Sequence, residues 1–313
     1  MTYFRRLAAN LALVAAGLLW LNGGAALAEP SYQGPEVCQK CHKAEFQVWE
    51  ATKHAKSRRE VHKTKDPDAK AIAEATGEKK MRRNQVCLMC HYTSVEKGGK
   101  MKVVAGPSCE SCHGASSEWF EIHNDYGGKD VKREDETPDH KQQRLQQAAA
   151  KGMIWPHMKY DVALNCLSCH GMTNPGLDGA TLAKMLDAGH PINPSFEMVA
   201  YSQGSVRHRF YPPNMTTNAE MDSAGLSRLF VTGHAASLVS ATAALSKSDH
   251  PKYVEAQNAR IAAAKAALGA VGDAATLLGA PTDANARALV DKIEGQDLSG
   301  AVGGMLPAKG SYK

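Results

Sequence analysis

The chain has 313 residues, 43% hydrophobic but only 6% aromatic, and 37 Lys and Arg against 32 Asp and Glu give a formal charge of +5. That length allows two domains of ordinary size. No stretch beyond the first residues is apolar for long enough to cross a bilayer, so a stable membrane span is excluded once that segment is removed.

The first element, residues 1–28, reads "MTYFRRLAANLALVAAGLLWLNGGAALA". A basic start, an apolar stretch and the ending Ala26-Leu27-Ala28 predict a signal peptide cut before Glu29. The mature chain is then exported, with the periplasm as its expected location and the extracellular space as the alternative. Loss of Arg5 and Arg6 lowers the charge to about +3. Nucleic acid is not an expected partner outside the cytoplasm.

Four copies of one motif follow: "EVCQKCHKA", "QVCLMCHYT", "GPSCESCHGA" and "LNCLSCHGM". C-x-x-C-H is the attachment sequence for c-type haem. Two thiols bond the porphyrin vinyls, and the histidine falls under the iron as its proximal ligand. Cys38, Cys41, Cys87, Cys90, Cys109, Cys112, Cys166 and Cys169 are the attachment residues. They use all eight cysteines. The proximal ligands are His42, His91, His113 and His170. Zinc does not require histidine after every cysteine pair, and a redox dithiol does not require four copies. Four haem c groups are therefore the expected cofactors. In so short a chain the porphyrins themselves form much of the core.

Nine further histidines are present for the sixth coordination positions. After the first motif, "KAEFQVWEATKHAKS" predicts a helix with Phe46, Trp49 and Lys53 on one face. Its His54 lies twelve residues beyond His42, a helical reach of about 18 Å. Such a helix cannot return His54 to the opposite face of the same haem, so His54 serves another. His123, in "CHGASSEWFEIHN", follows the same logic, and two reciprocal crossings would tie the first and third haems together. Residues 53–83 carry eleven Lys and Arg. They are expected to be solvated and are a candidate landing surface for an acidic redox partner. Residues 127–144 read as an exposed, loosely ordered excursion. In "DAGHPINP", Gly189, Pro191 and Pro194 hold His190 in a tight non-helical course. His157 is read as a propionate neighbour, His234 as a packed core residue, His62 and His140 as exposed, and His250 as a loop residue.

After Pro213 the cysteines end and alanine becomes abundant. Ile261, Ala264, Leu268, Val271, Ala275 and Leu278 predict one amphipathic helix. Thr282 is the expected cap of a second, with Ala286, Leu289, Val290 and Ile293 on one face. "GGMLPAKGSYK" reads as frayed.

"CQKCHKAEFQVWEATKHAKS", "CLMCHYTS", "GPSCESCHGASSEWFEIH" and "CLSCHGM" resemble the tetrahaem cytochrome c-554 family over roughly residues 35–210. The resemblance implies an electron carrier that accepts electrons from a redox protein. It implies that His54 ligates the third haem and His123 the first. The family also places a fourth-haem ligand shortly after a segment like "FEMV", which selects His208. Its second haem lacks a distal side-chain ligand, and His190 fills that vacancy or exchanges roles with His208.

The expected fold is mostly α, a multihaem cytochrome c organised around four covalent haems. It comprises a tetrahaem domain over 29–213 and an α-helical extension over 214–313. The expected function is single-electron transfer between a redox protein donor and acceptor, with bis-histidine ligation. A reductase of small nitrogen or sulfur oxides with one open haem, and a subunit of a conductive assembly, are the alternatives.

Overall fold

The computed structural model describes residues 30–63, 67–209 and 217–313, with side chains left out at 61–63. The expected signal segment and the expected boundary after Pro213 lie outside the described residues, as does the side chain of His62. Ser31–Lys313 forms one compact unit.

The described residues are mostly helical, with one short hairpin. In chain order the helices are α1 (Pro35–Gln39), α2 (Lys43–Ala51), α3 (Lys53–Lys63), α4 (Pro67–Ala75), α5 (Gln85–His91) and α6 (Cys109–His113). After α6 come α7 (Pro138–Ala150), α8 (Lys159–His170), α9 (Gly179–Asp187) and α10 (Met198–Ser202). The carboxy-terminal part adds α11 (Ser223–Ala244), α12 (Pro251–Leu268), α13 (Ala275–Gly279), α14 (Asp283–Lys292) and α15 (Ser299–Val302). The hairpin pairs β1 (Thr93–Glu96) with β2 (Met101–Ala105), Ser94 opposite Val103 and Glu96 opposite Met101. Its turn needs positive φ at Gly98 (61°) and Gly99 (69°), which glycine supplies at little cost.

Each motif ends a helix or forms a short one, so the local fold sets its two cysteines and histidine along one turn. Asn84 shows how a start is fixed. Its Oδ1 accepts from Val86 N and Cys87 N at the head of α5, while its Nδ2 donates to Ala73 O and Thr76 Oγ1 of the preceding segment.

The expected single helix over 43–57 breaks at Thr52. This residue is extended (ψ 163°), its hydroxyl donates to Trp49 O and accepts from Ala55 N, and it thereby ends α2 and caps α3. The expected helix through 261–278 also breaks. It starts earlier, at Pro251, and stops at Leu268, because Gly269 and Gly272 interrupt it before the short α13. Thr282 caps α14 through Asn285 N, and Ala286, Leu289 and Ile293 are buried.

The carboxy-terminal helices share one core with the motif-bearing part. Leu229, Leu238, Ala264, Leu268 and Leu277 pack with Tyr160, Ala163 and Leu167 of α8 and with Met198 and Val199 of α10. Residues 303–313 are not frayed: Lys313 N donates to Ala200 O at 2.9 Å and Ser205 N to Lys313 O at 2.6 Å, a short distance before His208.

Candidate metal centres

Four pairs of imidazoles face one another across narrow gaps. The ring centres are 6.3 Å apart for His42 and His123, 6.1 Å for His91 and His190, 6.1 Å for His113 and His208, and 6.0 Å for His170 and His54. Each pair joins one motif histidine to one histidine from elsewhere in the chain. A metal–imidazole bond is about 2.0–2.1 Å, and a ring centre lies roughly 1.1 Å beyond its nitrogen. Two imidazoles on opposite sides of one metal therefore have centres roughly 6.3 Å apart. The spacing would let the two imidazoles of a pair hold one metal between them, and it is too wide for van der Waals stacking of the two rings. The residues present thus fit a haem at each motif, held by its two thiols and by one imidazole on each face.

The outer nitrogens of four of these rings are held in one orientation. His113 Nδ1 donates to Ile154 O, His190 Nδ1 to Pro191 O and His208 Nδ1 to Arg209 O, each at 2.8 Å. His123 Nδ1 donates to Phe120 O. A proton fixed on Nδ1 leaves Nε2 with a free lone pair, the form a metal requires. Burial pushes His91, His113 and His170 down to about 4, so these rings are neutral at neutral pH. Burial also pushes the Cys87 thiol up to about 11, so this sulfur is an inert thiol when unattached.

His42 differs from these. Its Nδ1 lies 3.7 Å from Glu45 Oε2, and Glu45 also pairs with Arg209. Burial works to raise the Glu45 carboxyl, but the Arg209 guanidinium holds it below the usual value. One ion pair thus ties the His42 helix to the residue after His208.

Two of the expected pairings need correction. His54 faces His170, not His113, and His208 faces His113, not His170. The break at Thr52 is the reason, since it redirects α3 towards the fourth motif. Gly106 then receives the turn: a Cβ there would lie 2.1 Å from His54 O and 2.4 Å from Ser57 Oγ. His123 faces His42 and His190 faces His91. The reciprocal tie between the first and third motifs is therefore replaced by a wider web, in which each ring pair joins two different motif segments.

The remaining histidines have other partners. His140 binds Glu136 and His250 binds Asp187. His234 packs on Phe230 with ring centres 4.4 Å apart, and His157 stacks on Trp155.

Residues 127–144 are not a loose excursion. Arg144 and Glu136 are 8% and 3% exposed and form a two-pronged ion pair, with both bonds at 2.7 Å. Arg144 Nη1 also donates to His123 O at 2.8 Å, and its guanidinium lies over the Tyr126 and Trp155 rings. The alternation of charges in this stretch hides a structural pair that anchors the His123 segment. Arg144→Ala is expected to cost about 3 kcal/mol, as for a broken buried pair, and to loosen His123. The Arg144 guanidinium, with help from His140, holds the Glu136 carboxyl down to about 2 in the folded chain, against 4.5 ordinarily. The contribution is whole above the unfolded value and fades as pH falls from about 4.5 to about 2. Chemical denaturation across that window tests this. The stability difference between the unsubstituted chain and Arg144→Ala should shrink as pH falls, and a difference that stays constant contradicts the assignment.

The attachment points are neighbours. The first-motif helix α1 packs against the third-motif helix α6, and Cys169 Sγ of the fourth motif lies 4.0 Å from Met89 O inside the second. Asn165 Nδ2 of α8 donates to Ser111 O and Cys112 O, which joins the third motif to the fourth. The motifs therefore run first, third, fourth, second in space. Glu110, inside the third motif and 1% exposed, accepts from Gln33 N, Gly34 N and Ser116 N, fixing the strand-like entry to the first motif.

The basic residues of 53–83 are mainly exposed, including Lys53, Lys56, Arg59, Lys79, Lys80, Arg82 and Arg83. Among the described residues no helix is long and apolar enough to cross a membrane.

Comparison with known proteins is consistent with this geometry. Residues 37–114 match the family described as cytochrome c554 and c-prime. The chain is 32% identical over 133 residues to cytochrome c-554 of Nitrosomonas europaea, covering 40% of this chain and 57% of that protein. The chain thus spans little more than half the length of the curated relative it matches. No solved structure matches it. The part of the chain that bears the first three motifs accordingly carries the sequence pattern of the cytochrome c554 and c-prime family, for which covalently bound haem c is the implied cofactor.

Proposed function

We propose that the chain is an exported, periplasmic electron carrier with four covalent c-type haems, each held by two imidazoles. The observation that carries this reading is the repeated gap of 6.0–6.3 Å between a motif histidine and a second histidine. When bound, the haem supplies one-electron chemistry at its iron. The protein's part is to hold the same ligands in both redox states. Imidazoles locked through Nδ1, as those of His113, His123, His190 and His208 are, resist moving when charge changes, which keeps reorganisation small. Every motif histidine has a ring opposite it, so no side of the four sites is left to a substrate. This favours transfer between protein partners over reduction of a small oxide. The row of attachment points, first to third to fourth to second, supports a continuous path. The exposed lysines and arginines of 53–83 supply a surface for an acidic redox partner, with association that weakens as salt rises.

Mass spectrometry of the mature chain from a host competent for haem attachment tests the reading. Four haem additions and a start at Glu29 are expected. Two or three additions refute the assignment of four sites.

A further inference from the structure

One buried charge in the carboxy-terminal part has no counter-ion among the described residues. On α12, Tyr253, Gln257 and Arg260 share a face and are 0%, 0% and 2% exposed. They cover the end of α8 just beyond His170. Tyr253 Oη donates to Met172 O and Gln257 Nε2 to Gly171 O, each at 3.1 Å. Arg260 Nη1 donates to Gln257 Oε1 and Nη2 to Ser240 Oγ, both at 2.6 Å, and Nε has no hydrogen-bond partner. These acceptors are neutral. Among the described residues Tyr253 is the titratable neighbour that acts on the guanidinium, which burial pushes down only to about 10, so it stays charged at neutral pH.

An unpaired buried cation costs several kcal/mol. Capping the α8 terminus does not account for it. Leu167 O is already bonded by Gly171 N and Thr173 Oγ1, Gly171 O by Gln257, and Met172 O by Tyr253. The guanidinium is nevertheless drawn against this turn. A Cβ on Gly171 would lie 2.6 Å from Arg260 Nη1 and 2.7 Å from Leu167 O, so a larger residue there would have to displace the guanidinium or the turn. The residue before Gly171 is His170, the motif ligand of the fourth site.

We propose that Arg260 is a fixed positive charge that raises the reduction potential of the haem held by His170 and His54. The carboxy-terminal extension is then the part of the chain that sets the energy level of the fourth site. The inference rests on haem attachment at Cys166 and Cys169. The couple takes one electron from a protein donor and passes it to a protein acceptor, and the iron's formal charge falls by one on reduction. A nearby cation disfavours the more positive ferric form, and in a dry interior its field is weakly screened. Arg260 touches neither iron ligand, so it is a positioning residue for charge and not a ligand.

Spectroelectrochemical titration of the haem-loaded protein tests the proposal, after mass spectrometry has confirmed haem at the fourth motif. Absence of that haem would defeat the carrier reading and would be seen before any potential is measured. His54→Met marks the fourth midpoint, because a thioether ligand raises it. Arg260→Gln should lower that midpoint by about 59 mV, a tenfold change in a one-electron equilibrium, and leave the others nearly in place. Arg260→Lys, which retains charge but loses the fork, should stay close to the unsubstituted value. Ser240→Asp places a carboxylate beside the guanidinium and should lower the same midpoint with Arg260 still present. It also decides the matter if Arg260→Gln fails to fold. An unchanged fourth midpoint in Arg260→Gln or Ser240→Asp overturns the proposal, as does a Lys variant that shifts as far as the Gln variant.

Discussion

Reduced, haem-loaded His190→Ala is expected to bind about one equivalent of carbon monoxide, where the unsubstituted protein binds almost none. His190 faces His91 at 6.1 Å between ring centres. Its backbone N donates to Met185 O and its Nδ1 to Pro191 O, so ring and main chain are both fixed at the end of α9. No other described histidine ring faces His91, so nothing replaces His190 when it is cut to alanine. The iron at Cys87 and Cys90 should turn high-spin while its covalent attachment persists. The fold should tolerate the loss, because Leu182, Met185 and Leu186 of α9 remain packed with Tyr253 and Met172. Rapid stoichiometric binding by the unsubstituted protein would show a site already open, and the reductase reading would then take first place.

The second large effect concerns His54. His54→Ala should produce one high-spin iron, and that iron should be the fourth. In a chain lacking the fourth haem through Cys166→Ala and Cys169→Ala, His54→Ala should add no further open iron, while His208→Ala still should. An additional open iron from His54→Ala in that background would return His54 to the third site. Gly106→Ala gives an independent reading of the same geometry. The new methyl collides with His54 O and Ser57 Oγ, so α3 must shift and the same iron should lose its low-spin signature. Trp49 supports this region by donating Nε1–H to Pro107 O at 2.8 Å, and Trp49→Phe should produce a milder version of the same change.

The motifs were legible because C-x-x-C-H is a local code: the chemistry needs its three residues within one helical turn. The eight ligand candidates could be read because haem chemistry asks for histidine and few remained. The partner of each was harder, since pairing is a tertiary property. His123 and His190 stand where the spacing and the stiff loop suggested. His54 and His208 are exchanged because Thr52, flanked by good helix formers, acts as a stop and cap through one hydroxyl. That signal competes poorly with the surrounding pattern. "EKGGK", between the second and third motifs, carries a hairpin turn whose flanking strands are too short to stand out in the sequence. In 127–144, polarity hid Glu136 and Arg144, which are buried only because they satisfy one another. The carboxy-terminal helices were visible in outline. The Tyr253, Gln257 and Arg260 face was not, since a polar residue every third or fourth position reads as solvent-exposed until its neighbour is known.

The web of ring pairs has a consequence for how the chain matures. His42, His54, His91 and His113 all precede His123, His170, His190 and His208, and the pairs close in that same order: first, fourth, second, third. A chain threaded out of the cytoplasm from its amino terminus therefore exposes all four earlier members before any partner arrives. Under the proposed ligation the first, second and third irons must each wait, five-coordinate or weakly ligated, until a later stretch emerges, whereas the fourth motif emerges after its partner His54. Among these three the waiting is shortest for the first site and longest for the second. Stalling export at successive points between 113 and 208 would then yield intermediates with three, two and one exposed irons, the number falling as His123, His190 and His208 emerge. Such intermediates would be open to peroxide and small ligands that the finished protein excludes. The finished molecule would have the opposite property. Because every pair of closures interleaves and none is nested, no haem site can be peeled away from either end without straining the other three, and loss of the axial ligands on heating should be a single concerted event.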